Sequence, residues 1–174
     1  MSDNISIYYY KSPIGELILG SFEGKLCLAD WRYRKQRSTL DSRIQKGLNT
    51  VYIKEKSEVI TQTITQFEEY FKGERKTFTI PLLMVGTPFQ KSVWEGLLKV
   101  PYGETSSYLD LAKSISSEKA VRAVASANGA NAISLMIPCH RIIGKNGQLV
   151  GYAGGLDIKK RLLVLENNLF TSLK

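Results

Sequence analysis

Hydrophobic and polar positions follow two different rhythms along the 174 residues. Ile5 to Tyr10 is rich in β-forming residues, Ser12-Pro13-Ile14-Gly15 turns the chain, Glu16 to Ser21 alternates again, and Glu23-Gly24 leads into Lys25 to Trp31. Short alternating runs parted by turn residues predict a three-stranded antiparallel meander. Arg32 to Arg43 reads as a charged loop with Trp31 and Tyr33 interleaved, a pattern that suits either a nucleic-acid surface or a solvated connection. Between about Ser57 and Lys72, Val59, Ile60, Ile64, Phe67, Tyr70 and Phe71 recur at helical spacing, with Gly73 as the stop. Phe78 to Leu82 is either one more strand or an extended connection.

From Gly86 onward the period becomes helical. Thr87-Pro88 offers an N-cap and an N1 proline, and Phe89, Val93, Trp94, Leu97 and Leu98 line one face of a helix ending before Pro101. After the Tyr102-Gly103 turn, Ser106 or Ser107 caps a short helix, and another helix runs from Glu118 to about Ala127, where Asn128-Gly129 stops it. Two short helices joined by a few polar residues have a helix-turn-helix outline. Its second helix, Ala120 to Ala127, carries small side chains and one arginine, too few polar groups to read the major groove. Either it approaches the narrower minor groove and pushes Arg122 into the base stack, or it packs in a core with Arg122 at its edge. A last helix spans about Leu156 to Asn167. Glu166, near its C-terminal end, opposes the helix dipole and calls for a cationic or hydrogen-bonding partner such as an imidazole.

Composition narrows the chemistry. A formal charge of +8, from 24 basic and 16 acidic side chains, suits a polyanionic partner, nucleic acid before an anionic membrane. The first ten residues do not read as a signal peptide, and no apolar run approaches a membrane span. Two distant cysteines, Cys27 and Cys139, make no disulfide framework, and a single histidine leaves a metal site poorly supplied. Metal catalysis is therefore rejected, and Cys27, inside a strand, reads as a small core residue. That only histidine, His140, directly follows Cys139, and a neutral imidazole beside a thiol is the usual means of activating it. Pro138 ends regular pairing, so the chain turns at Cys139, and a reactive group at a turn can be exposed. Gly151-Tyr152-Ala153-Gly154-Gly155 lacks the spacing and setting of a phosphate loop, which excludes a nucleotide cofactor. A cysteine hydrolase would use the same Cys-His pair with repeated turnover, and a regulatory helix-turn-helix protein would bind a defined DNA site with its thiol unused.

The run IPCHRIIGKNGQLVGYAGG, preceded by GTPFQKSVW, VPYGETSSY and AVRAVASANGAN, closely resembles the O6-alkylguanine-DNA alkyltransferases, which repair DNA by direct reversal. The match is strong from Gly86 to about Glu166. The resemblance implies a ribonuclease-H-like α/β domain at residues 1–85, with a three-stranded antiparallel sheet plus helix, and a mostly α DNA-binding and alkyl-acceptor domain with a winged-helix or helix-turn-helix motif at 86–174. It implies that Cys139 accepts the alkyl group, His140 takes its proton through a water, Glu166 orients the imidazole, Tyr108 donates to the everted guanine at N3, and Asn131 braces the turn before the site. Arg122 would fill the vacated place in the duplex, with Ala120, Val121, Ala123, Ser126 and Arg141 on the DNA side. Tyr108, Ile142, Tyr152, Ala153 and Gly154 would form the base pocket. Ala153 stands where relatives often carry serine, Ser134 where some carry proline, and Val121 where alanine is common. The implied protein is a cytoplasmic monomer, nuclear in a eukaryote, without cofactor or membrane contact. It acts once, on double-stranded DNA through the minor groove, with O4-alkylthymine as an alternative lesion. A catalytically silent relative would lack the thiol, which this chain has.

Overall fold

The structure, a computed structural model, describes residues 3–166. The chain divides into two compact units, Met1–Gly86 and Thr87–Lys174.

In the first unit the meander forms as β1 (Ile5–Ser12), β2 (Gly15–Phe22) and β3 (Lys25–Trp31), each antiparallel to the next. It acquires a fourth member that the sequence did not announce. Strand β4 (Tyr52–Lys54) runs parallel to β1, giving the order β3-β2-β1-β4. A three-residue strand is too short to display an alternation. Gly20 lies at a register shift between β2 and β3, where a Cβ would come within 2.9 Å of Leu28 Cβ. Helix α2 (Glu58–Phe71) begins at Ser57, whose hydroxyl accepts from Ile60 N at 3.2 Å, a cap worth about 1 kcal/mol. Its Ile60, Phe67 and Tyr70 are fully buried, each worth roughly 1.5–3 kcal/mol of apolar burial. Phe78 meets the Phe67 ring edge-on at 5.7 Å, and its segment is an extended connection with one bridge, Leu26 to Leu82.

The charged stretch after β3 is not a loop throughout. Residues Arg37–Gly47 form helix α1, which buries only Leu40 and Ile44. Arg34 and Arg37 turn inward to the buried Asp30 at 3.1 and 2.9 Å. Arg37 also holds Asp41 at 2.9 Å, and Tyr52 Oη donates to Asp41 at 2.7 Å. Two of the cations that suggested a nucleic-acid surface are therefore spent inside the unit.

The second unit opens with α3 (Pro88–Leu97), started by a reciprocal cap: Thr87 Oγ1 accepts from Gln90 N and Gln90 Oε1 accepts from Thr87 N, at 3.1 and 3.0 Å. Strand β5 (Ser106–Ser107) leads into α4 (Tyr108–Ser114), whose N-cap is Ser107. A 3-10 turn, Glu118–Ala120, enters α5 (Val121–Gly129). The helix continues through Asn128-Gly129, two residues past the expected stop. Trp94 Nε1 donates to Ala127 O at 2.8 Å, tying α3 to α5. A second 3-10 turn, Cys139–Arg141, precedes β6 (Ile142–Ile143), which pairs parallel with β5, and α6 (Leu156–Leu165) follows. The expected end of that helix at Asn167 lies outside the described residues. Among the described residues no helix is long and apolar enough to cross a membrane.

Candidate active site

Every residue from Asn131 to Ile143 is buried, so the Cys-His pair sits in a wholly interior stretch. Asn131 shapes its approach: Nδ2 donates to Ile137 O at 2.8 Å, and Oδ1 accepts from Ile133 N at 3.0 Å. Between them Leu135 takes φ +74°, a conformation that a bulky side chain adopts only when its surroundings compel it. Pro138 then turns the chain. Cys139 N donates to Ile137 O at 2.8 Å and Arg141 N to Pro138 O at 3.0 Å. The turn exists, but it does not expose the thiol. Cys139 is 5% exposed and His140 0%, within a stretch buried from Asn131 to Ile143.

His140 Nε2 lies 2.8 Å from Glu166 Oε2. Arg141 donates Nε to Glu166 Oε1 at 2.8 Å, one terminal nitrogen to Oε2 at 3.1 Å and the other to Val100 O at 2.7 Å. Burial alone would raise the Glu166 pKa, yet the bonds from His140 and Arg141 bring it down to about 2. Arg141, a permanent cation, is the partner that secures the ionised form. Burial pushes His140 below its ordinary value, Glu166 pulls the other way, and Arg141 and Lys159 add to the depression. The imidazole is therefore neutral. An ionised carboxylate only accepts, so Nε2 carries the proton and Nδ1 the lone pair. Nδ1 makes no hydrogen bond among the described residues. The acid at the helix end thus has both an imidazole and a cation, where the sequence called for one or the other.

This geometry corrects one assignment. Arg141 was expected on the DNA side, but it is 6% exposed and committed to Glu166 and Val100. The Val100–Gly103 turn closes on the backbone at the same helix end. Tyr102 Oη donates to Leu165 O at 3.3 Å, and Gly103, at φ +84°, approaches so closely that a Cβ would lie 3.1 Å from Glu166 O.

The pairing of β5 with β6 brings Tyr108, the first residue of α4, toward the thiol. Burial, and then the charge on Cys139, raise the Tyr108 pKa, so its hydroxyl keeps its proton at neutral pH and can donate. Its oxygen lies 3.9 Å from where a Gly151 Cβ would stand. Tyr152, Ala153 and Gly154 continue that loop half-buried, whereas Ile142 is fully buried behind it. On α5, Arg122, Ala123 and Ser126 are exposed, Ala120 and Val121 are half-buried, and Val124, Ala127 and Asn128 face inward. The helix therefore packs one face into its unit and leaves Arg122 exposed on the other. Among the described residues no cluster of three or more His, Cys, Asp or Glu could hold a metal ion. Burial pushes the Cys27 thiol up to about 12.

Residues 5–84 match the 6-O-methylguanine DNA methyltransferase ribonuclease-like domain, and residues 88–168 match the 6-O-methylguanine DNA methyltransferase DNA binding domain. A methylated-DNA--protein-cysteine methyltransferase of Methanosarcina acetivorans is 44% identical over 165 residues, 93% of this chain and 99% of that protein. The chain belongs to the 6-O-methylguanine DNA methyltransferase family. A second family member, the constitutive methylated-DNA--protein-cysteine methyltransferase of Bacillus subtilis, is 43% identical over 159 residues, 90% of this chain and 92% of its own length. Among solved family structures, Mycobacterium tuberculosis OGT in complex with DNA superposes with a TM-score of 0.80 at 34% identity, covering 97% of this chain and 98% of that one.

Sequence reasoning missed one buried cation beside the Cys139 turn altogether. Lys159 is fully buried on α6, yet it stands in the run Lys159-Lys160-Arg161, which reads as a solvated face.

Proposed function

We propose that this protein repairs DNA by direct reversal, moving the alkyl group of O6-alkylguanine onto Cys139 once and irreversibly. The observation that carries the reading is the neutral His140, 2.8 Å from an ionised Glu166 and one residue after the thiol. His140 Nδ1 accepts the thiol proton through a water, and the thiolate attacks the carbon on O6. The sulfur–carbon bond forms as the carbon–oxygen bond breaks. Tyr108 donates to guanine N3 as charge develops there, and a backbone N–H at Ala153 serves O6. Nothing near the resulting thioether makes sulfur a leaving group again, so each molecule acts on one lesion.

The reacting carbon lies at the pairing edge of the duplex, so the nucleotide must leave the stack, at a cost of a few kcal/mol on the usual estimate. DNA is the partner. The small residues Ala123 and Ser126 on the exposed face of α5, flanked by Ala120 and Val121, enter the minor groove, and Arg122 fills the gap. Residues 86–174 bind DNA and accept the alkyl group, with 1–85 as supporting domain. The protein works as a monomer wherever the host keeps its DNA, in the cytoplasm or nucleus. Replacing Cys139 by alanine is expected to abolish transfer and spare DNA binding. A Cys139→Ala protein that still demethylates DNA ends this reading.

A further inference from the structure

Lys159 is a buried cation with an unusual set of partners. Its ammonium donates to Ile142 O, to Val150 O at 2.8 Å and to Gly151 O at 3.2 Å, using all three of its protons on carbonyls. Among the described residues no carboxylate pairs with it, and the side chain is fully buried. A charge held inside only by peptide dipoles is a poor way to stabilise a fold, since an apolar side chain of similar length would fill the space without desolvating an ion. The three carbonyls come from two places: Ile142 directly follows the Cys139–Arg141 turn, and Val150 and Gly151 open the glycine-rich loop.

We propose that Lys159 is a positioning residue for alkyl transfer: it staples the start of the Gly151–Gly155 loop to the strand after the Cys139 turn, fixing the two walls that grip the damaged base. The inference rests on the alkyl-transfer reading. Gly151 also stands close to the Tyr108 hydroxyl, which lies 3.9 Å from where its Cβ would be. The staple therefore sets the spacing between the donor on α4 and the loop that faces it, without touching the reacting atoms. The titratable groups facing the ammonium are Cys139, whose charge favours its protonated form, and His140, which it helps keep neutral. Burial brings Lys159 down to about 8.

Two rates on the same thiol separate positioning from chemistry: methyl transfer from an O6-methylguanine duplex, which needs the pocket, and alkylation of Cys139 by iodoacetamide, which does not. Lys159→Met is expected to slow transfer at least tenfold and the iodoacetamide rate by a clearly smaller factor, the part due to the lost charge beside Cys139, and Lys159→Arg to recover much of the loss. Transfer at the wild-type rate in Lys159→Met, or both rates falling by the same factor, overturns the inference. A reading that needs no variant guards against a misfolded Lys159→Met protein. In the wild type the ratio of transfer to iodoacetamide rate is expected to drop as pH rises through about 8, and a flat ratio from pH 7 to 9.5 overturns the staple. Wild-type protein that takes no methyl from the duplex removes the underlying reading as well, an outcome distinct from either variant result.

Discussion

Each unit of the molecule contains a buried thiol, a buried carboxylate and arginine, and only one of them is equipped for chemistry. In the first, Asp30 lies three residues after Cys27 and is held between Arg34 and Arg37 at 3.1 and 2.9 Å. In the second, Glu166 is held between Arg141 and His140, both at 2.8 Å. Two guanidiniums remain charged throughout the accessible pH range, so the Asp30 cluster is a lock. An imidazole gains or loses a proton near neutrality, so the Glu166 cluster can orient a base that acts on its neighbour. The thiols differ accordingly. Cys27 is buried in a sheet and pushed up to about 12, whereas Cys139 adjoins a neutral imidazole and a tyrosine hydroxyl that its charge perturbs. Burial of an ion cluster does not by itself mark a site; a titratable member beside a nucleophile does.

The comparison breaks most sharply by neutralising each acid. Glu166→Gln is expected to lower the transfer rate by about 10²–10³, the usual scale for losing a general base's orientation. Asp30→Asn is expected to leave the rate within about twofold, because its cluster holds no base beside Cys27. Single-turnover kinetics on both variants check the contrast, and equal kinetic losses would erase it. Next in size is Arg122→Ala, expected to slow repair in duplex roughly tenfold through the lost offset to unstacking, while transfer from free O6-methylguanine is unchanged. Equal losses on the two substrates remove the finger role.

The smallest effect is in the acid limb of stability. His140 is held below its ordinary 6.5, so the unfolded chain binds the proton first and stability drops as pH falls below that value. Glu166, near 2 against an ordinary 4.5, adds a second loss of the same sign as pH drops from about 4.5 toward 2. Asp30 runs the other way, because burial raises it against the pull of its arginines and the folded chain takes that proton first. Unfolding midpoints at pH 7, 5 and 3 are expected to show a flatter acid limb in Glu166→Gln and a steeper one in Asp30→Asn. The opposite order would mean that the two acids have been assigned the wrong environments.

What was legible in the sequence follows from how each feature is encoded. Local signals carried well: the turns between β1, β2 and β3, the Ser57 cap, the Thr87-Pro88 start of α3, and the adjacency of Cys139 and His140. Features that depend on distant partners did not. Helix α1 buries only Leu40 and Ile44 and is otherwise polar, so its period was hidden among arginines whose partner, Asp30, belongs to the preceding strand. Arg141 reads as a surface cation until Glu166, 25 residues later, is seen to claim it. Lys159 is disguised by the exposed Lys160 and Arg161 beside it, and only carbonyls explain its burial. The Cys139 turn was foreseen from Pro138, but its burial was not, since a turn constrains the backbone and says nothing about what packs over it.

One spectrum weighs the two thiols directly. Protein incubated with excess duplex containing O6-methylguanine, digested and examined by mass spectrometry, is expected to carry a single added methyl on the peptide holding Cys139, with Cys27 unmodified and no further methyl after prolonged exposure. A methyl on Cys27, or a Cys139 thiol regenerated as demethylated DNA accumulates, would contradict the account.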